Sequence, residues 1–453
     1  MSWACTRDEM KWWLLAALML ASCKEKPARC VVSGDSTLVA NLDDDDADGR
    51  VDGLQSPPSR DDDDVLSVSA CRGPVSLRGV PEGEVRLWQR GDGGWAPLRQ
   101  GQLEESTLGI EVVRGRSPSW RTPAEVLIGD AGVLSITAPP VLLRHVASPV
   151  KEVWVTEVTD AAFGSTAAFS SSLERAVSPL PVRRLPGDLA RADRWVQDAF
   201  QGASMGGRSL VLRLPRAGEL RGLSNVSHGR GLPSSIGVLS TGVLQDSRFD
   251  YGGDVDVLPP HGEFPEGRLL AGKDVSPELL AWFEAQGAQT PAVLVPTSWL
   301  LSGHVDDVVL PLASSGAALR VAMPSTSLGQ AVAPMHVEFN RACQRQLDEA
   351  ETILRAAVAP TVLEVLRVPV VFVPRASDGG VLAESFVPNP INAVVIGKQV
   401  LMGAPDAGLA GASLQRAVSA TFEDAGLAPG WLDVSAYAPR GGSVHCAVEL
   451  VGR

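Results

Sequence analysis

The chain has 453 residues, 45% of them hydrophobic, which is comfortable for two domains with cores of their own. Its net charge of −13 argues against nucleic acid as a partner, because a phosphate backbone would be repelled, and suits cationic substrates or metal ions. The cysteines, Cys5, Cys23, Cys30, Cys71, Cys343 and Cys446, form no Cys-x-x-Cys pair, so neither a zinc site nor a thioredoxin-like redox pair is indicated.

At the N-terminus Lys11 precedes the apolar run Trp12 to Met19, which ends in Leu20-Ala21-Ser22-Cys23. That run is too short to span a bilayer as a helix, and small residues before a cysteine mark bacterial lipoprotein processing. A signal peptide is therefore expected over 1–23, with Cys23 as the lipid-bearing residue; the alternative is an N-terminal hydrophobic helix of a soluble protein. Asp8 and Glu9 do not suit a leader's basic segment and point to Met10 as the start. Lys24 after the cysteine, where an aspartate would retain the protein at the inner membrane, resembles the pattern of outer-membrane lipoproteins.

From about Val31 a strand-like stretch leads into the acidic run Asn41 to Gly53. Asp44, Asp46 and Asp48, followed by Gly49, have the alternating spacing that lets carboxylates converge on one cation, and Asp52 adds a further ligand. Crowded carboxylates repel unless neutralised, and a hard oxygen-rich cluster favours Ca2+ over zinc. Gln55 stands where an EF-hand has its glutamate, so this is a different kind of loop. Cys30 and Cys71 flank it and either pair in an oxidising compartment or stay as separate thiols.

Short alternating strands punctuated by Gly and Pro then run to Pro149, which predicts a β-sandwich over 24–149. Over 150–453 strands and helices alternate, an α/β pattern. Strands are predicted at Ser209 to Leu214, Pro291 to Pro296, Leu319 to Pro324, Val368 to Val373 and Ile391 to Gly397. Helices are predicted at Pro277 to Gln286, from about Val337 to Ala357 and near Ser413 to Ala425. Ser276 reads as an N-cap, Pro277 as the first helical residue and Gly287 as the stop.

Three stretches of this region carry reactive groups: Arg194 to Asp198 (RWVQD), Ser302 to Leu310 (SGHVDDVVL) and Gly441 to Cys446 (GGSVHC). His304 and Asp306 are two apart and would share one face of a strand, with Val308 to Leu310 seating that strand in a sheet. Together the stretches offer a thiol, an imidazole and two carboxylates. In this order along the chain, and with Tyr251 to Pro260 (YGGDVDVLPP), Pro388 to Lys398 (PNPINAVVIGK) and the N-terminal acidic stretch, they resemble the protein-arginine deiminase family.

The resemblance implies an immunoglobulin-like β-sandwich carrying calcium, followed by a catalytic five-bladed α/β propeller of the pentein type. It implies calcium-dependent hydrolysis of protein or peptide arginine to citrulline and ammonia. Asp198 and Asp306 would clasp the planar guanidinium through paired, charge-assisted hydrogen bonds. Cys446 would attack the guanidinium carbon, and His304 would move the protons. His445 is expected to face away from the thiol, because neighbours on a strand point to opposite sides. Trp195 would line the arginine stem, and Arg221, with Arg216 as a competing candidate, would hold the substrate's peptide carbonyl. A second calcium site would use Gln197, Gln201, Asp256 and the carbonyls of Gly252 and Val255, with Gln201 and Asp256 standing where the family has glutamates. After the thiol, Ala447, Val448 and Glu449 replace the family's Gly-Thr-Asn. Alternatives are hydrolysis of a small guanidine compound, free arginine or agmatine, and a catalytically silent calcium-binding envelope lipoprotein.

Overall fold

A computed structural model describes residues 32–40, 65–91, 94–98, 101–121, 123–129, 132–160, 164–186, 194–215, 236–241, 243, 247–405, 408–438 and 441–452. The expected lipidation site Cys23, the ligands Asp44, Asp46, Asp48 and Asp52, Cys30, Arg216 and Arg221 all lie outside these residues. Among the described residues no helix is long and apolar enough to cross a membrane.

The N-terminal strands form one seven-stranded sheet organised on the long strand Leu66–Arg78. Its first part pairs with Gln102–Val112 and its last part with Ala124–Ile128; irregular pairing between the two, with Gly73 at φ 121°, lets the strand change partners. Alternating inward residues such as Leu108, Ile110, Val126, Ile128 and Ile136 make its core. Glu111 is fully buried there and is satisfied by the Trp88 Nε1 donor at 2.8 Å and the Arg86 guanidinium at 3.9 Å. The same core takes in Leu279, Trp282 and Phe283 of the helix Pro277–Gln286, so the β layer is fastened to the α/β region. Arg116 Nη1 donates to the Gln286 carbonyl at 2.7 Å across that seam.

The α/β region repeats one pairing five times. In each of five small sheets a first strand runs antiparallel to a second, which runs parallel to a third. Phe200–Met205, Arg208–Arg213 and Gly237–Ser240 are one set; Val255–Leu258, Arg268–Gly272 and Val293–Val295 the next. Leu310–Ser315, Ala318–Ser325 and Leu363–Pro369 follow, then Val394–Ile396, Gln399–Gly403 and Ala428–Leu432. The fifth joins distant segments, since Glu449–Val451 pairs with Glu152–Glu157, which is parallel to Val182–Pro186. A parallel partner needs a crossover. Helices Ala167–Val177, Pro277–Gln286, Val337–Val358 and Gly408–Asp424 supply it in four sheets, and in the other most of the connection lies outside the described residues. The strand Val141–Leu143 extends the first-named sheet by pairing with Phe200–Met205.

The helices form where their signals predict. Ser276 Oγ accepts from the Leu279 N–H at 3.3 Å, Pro277 opens the helix, and Gly287 ends it at φ 68°. Val337–Val358 buries Cys343, Leu347, Ala350, Leu354 and Val358, a stripe at intervals of three and four. The stretch Val368 to Val373, expected as one strand, divides instead. Pro369 has no N–H for a ladder, and the Phe372 N–H is taken by Asn340 Oδ1 at 2.8 Å.

Leu347 is wholly buried, so Leu347→Ala should lower unfolding free energy by about 2–5 kcal/mol, read from the denaturant midpoint at unchanged slope.

Candidate active site

The first strand of each of the five repeated sheets is entered through a tight turn, and these turns carry the site. One-turn helices Val196–Ala199, Gly252–Asp254, Val305–Asp307 and Val444–Ala447 precede four of the strands. Before the fifth, the turn closed by the Asn392 N–H on the Asn389 carbonyl at 3.1 Å does the same. A turn at the end of a buried strand can present a polar side chain inward while the strand anchors its backbone.

His304 and Asp306 do not share a strand face as the spacing suggested. His304 is extended and Asp306 lies in the helical turn that follows it, yet their ligand atoms and Cys446 Sγ all fall within 4.8 Å of one another. His304 Nδ1 lies 3.8 Å from Asp198 Oδ1. All four are buried, so the thiol, the imidazole and both carboxylates meet in one place. Gly253 is what lets His304 in, since a Cβ there would sit 2.2 Å from Nδ1.

His445 also departs from expectation. Cys446 belongs to a helical turn ahead of the strand, so its neighbour is not forced to the far side. His445 Nδ1 meets Asp306 Oδ2 at 2.8 Å, and the thiol is 3.8 Å from the same oxygen. Asn392, which carried no role in the sequence reading, completes the group. Its Nδ2 donates to Asp306 Oδ2 at 2.9 Å and to Cys446 Sγ at 3.1 Å, while its Oδ1 accepts from the Cys446 N–H at 3.3 Å. The stretch around it was conspicuous; which of its side chains reaches the thiol is decided only by the turn.

Trp195 is half-buried, with its ring 5.4 Å from that of Tyr437. A Cβ on Gly442 would lie 2.3 Å from the indole, which explains a glycine in the turn just before the cysteine. Arg194 is fully buried, donates to the Ala436 carbonyl and stacks 6.0 Å over Tyr437. Asp307 is held by Ser302 Oγ at 2.6 Å and by Asn389 Nδ2 at 3.0 Å. A cleft of about 350 Å³ reaches this edge through Ser302, Asp307 and Gly442, with Arg375, Glu384 and Phe386 on its walls; Cys446 does not line it.

Of the residues expected at a second cation site, Gln197 is buried in the Asp198 turn with no partner for its amide. Gln201 Nε2 donates to the Gly252 carbonyl at 2.8 Å and the Val255 carbonyl at 3.3 Å. Asp256 Oδ1 accepts from its neighbour's Val257 N–H at 2.6 Å.

The electrostatics favour a positively charged guest. Burial, then the charges of Asp306, Asp198 and Asp307, push the Cys446 thiol well above the usual range. Burial and the Asp306 charge push Asp307 up to about 6. For His445 burial opposes the charge, but the Asp306 hydrogen bond and the Asp306, Asp256 and Glu449 carboxylates outweigh it and raise the imidazole to about 9. At neutral pH His445 is therefore a cation and cannot take up the thiol's proton. A cation bound among these acids would offset the part that their charges play in keeping the sulfur protonated.

The model of a family described as protein-arginine deiminase matches residues 130–333 and 332–452. Protein-arginine deiminase type-1 of Mus musculus is 24% identical over 385 residues, covering 73% of this chain and 57% of that protein. Protein-arginine deiminase type-4 of Rattus norvegicus is 24% identical over 382 residues, 72% of this chain and 56% of the relative. The chain thus spans about half the length of the curated relatives it matches. Among solved structures, a C. jejuni agmatine deiminase is 12% identical with a TM-score of 0.43, covering 69% of this chain and 96% of the other. A putative peptidyl-arginine deiminase is 10% identical with a TM-score of 0.46, covering 69% and 99%. The two segments matched by the family model contain every side chain that converges on Cys446, and the chain belongs to the protein-arginine deiminase family.

Proposed function

We propose that this protein hydrolyses arginine side chains of proteins or peptides to citrulline and ammonia through a covalent intermediate on Cys446. The observation that carries the reading is the placing of one thiol and one imidazole among buried carboxylates, with Asp306 Oδ1 buried and without a partner. That oxygen is free to accept from a guanidinium, and Asp198 would receive the cation's other edge.

With the carboxylates neutralised by substrate, sulfur gives its proton to His304 and attacks the guanidinium carbon, forming a C–S bond. The C–N bond breaks and the departing ammonia takes the proton from His304. Water then yields a proton to His304 as its oxygen bonds to carbon, and the C–S bond breaks to release citrulline while sulfur regains the proton. The excess proton of the guanidinium leaves as ammonium. Cationic His445 holds Asp306 in place, and Asn392 orients the thiol.

Around this centre we place the five repeated sheets as blades of a pentein-type α/β propeller, preceded by an immunoglobulin-like sandwich over 24–149. Calcium belongs, on this proposal, to Asp44, Asp46, Asp48 and Asp52, where it would brace the acidic loop; no chemical step runs through it. A lipid on Cys23 would hold the enzyme at the outer membrane, with Arg221 near the substrate backbone.

The purified chain should release citrulline from an arginine peptide with blocked termini faster than from free arginine or agmatine; no citrulline under any condition removes the proposal. Cys446→Ala should abolish turnover, and Asp198→Asn or Asp306→Asn should lower kcat/KM about 100-fold or more, the value of a broken buried charge pair. Gly253→Ala should act like loss of His304, because its Cβ displaces the imidazole, with the melting temperature reporting whether the fold survives. In the absence of substrate, iodoacetamide labelling of Cys446 should rise with pH to a midpoint above about 8.5, the ordinary cysteine value; a thiolate already formed at neutral pH would contradict the electrostatic account.

A further inference from the structure

The cavity lined by Arg144, Gln201, Asp256, His445 and Glu449 lies against the turn that carries Cys446, in the place where the family resemblance puts a calcium ion. Its residues do not fit that ion. Calcium takes six to eight oxygens, and the two carbonyls that should face it, Gly252 and Val255, already accept from the Gln201 Nε2 group. The turn is closed directly on that amide, since a Cβ on Gly252 would sit 1.9 Å from the Gln197 carbonyl oxygen and 3.0 Å from Gln201 Nε2. Asp256 spends one carboxylate oxygen on the Val257 N–H. The unpartnered Gln197 amide is a single neutral ligand, which alone cannot hold a hard divalent cation.

A positive charge is present all the same, and it belongs to the chain. The Arg144 guanidinium lines the cavity together with the Glu449 and Asp256 carboxylates. Glu449 Oε1 accepts from the Gly202 N–H at 2.7 Å and the Leu450 N–H at 3.1 Å, and the main-chain N–H of Arg144 donates to the Gly202 carbonyl at 2.8 Å, while its guanidinium Nη2 donates to the Ser148 carbonyl at 3.1 Å. The same cavity already holds two basic side chains, Arg144 and His445, beside its two acids, Asp256 and Glu449.

We infer that the Gln201 amide, seated on both carbonyls in a cavity that Arg144 also lines, takes the place of a divalent cation beside Cys446, so that the thiol-bearing turn is assembled without calcium. Any calcium response of the whole protein then comes from the acidic stretch. The kinetic part of this inference rests on the deiminase reading; the binding part does not.

The test uses the full chain and a variant with Asp44, Asp46, Asp48 and Asp52 changed to Asn. Calorimetric titration with CaCl2 should show no saturable site in that variant up to about 1 mM. In chelator, iodoacetamide labelling of Cys446 and citrulline release should each stay within about 2-fold of their values in 1 mM calcium for that variant. A calcium site that persists in it and disappears on adding Asp256→Asn overturns the inference. So does labelling or turnover in the four-Asn variant that rises about 10-fold with calcium. If no citrulline forms in any condition, the deiminase reading fails, while titration and labelling still decide whether a cation binds here.

Discussion

A buried carboxylate must be paid for by partners, and Asp306 draws its partners from the whole α/β region. His445 and Asn392 both direct nitrogen at Oδ2, and the Cys446 sulfur lies beside the same oxygen. Removing His445, its charged partner, would leave a carboxylate unpaired in a low-dielectric interior, at a cost of several kcal/mol. The interaction therefore does two jobs. It holds three separate turns in register, and it leaves the second oxygen pointing at the space where a cation would be welcome. On the proposed reading, the arrangement that stabilises Asp306 would also favour a flat, positively charged guest.

Each small sheet contributes a single turn to this meeting. The strands behind the turns bury apolar side chains, with Phe200, Val257, Leu312, Val394 and Val451 at or near zero exposure, so each turn rests on a packed base. Close approach is built with glycine at the two places where backbone must make room, Gly253 under His304 and Gly442 under Trp195. Arg144 and Glu449 share a cavity against the turn of Cys446, with the Glu449 carboxylate anchored on the Gly202 N–H.

Much of this was legible in the letters. Ser276, Pro277 and Gly287 mark their helix with little ambiguity, and the stripe Cys343, Leu347, Leu354 marks another. Cys446, His304, Asp198 and Asp306 could be named from short motifs in a familiar order. The fivefold repeat could not, because what repeats is strand pairing and not residue identity, and each sheet keeps only one or two polar turn residues. The orientation of His445 was misread for a related reason. A four-residue helical turn is too short to leave a period, and its neighbours read as strand. Asn392 and Arg144 escaped because an amide or guanidinium acquires its role only from distant contacts.

The Lys151 N–H donates to the Val451 carbonyl, so the fifth sheet joins two segments some three hundred residues apart in sequence into one hydrogen-bonded seam. The seam ties the Glu152–Glu157 strand to the Glu449–Val451 strand, and the turn that bears the thiol lies next to it. Opening that seam would withdraw the turn that bears the sulfur, Glu449 and the Trp154 strand together.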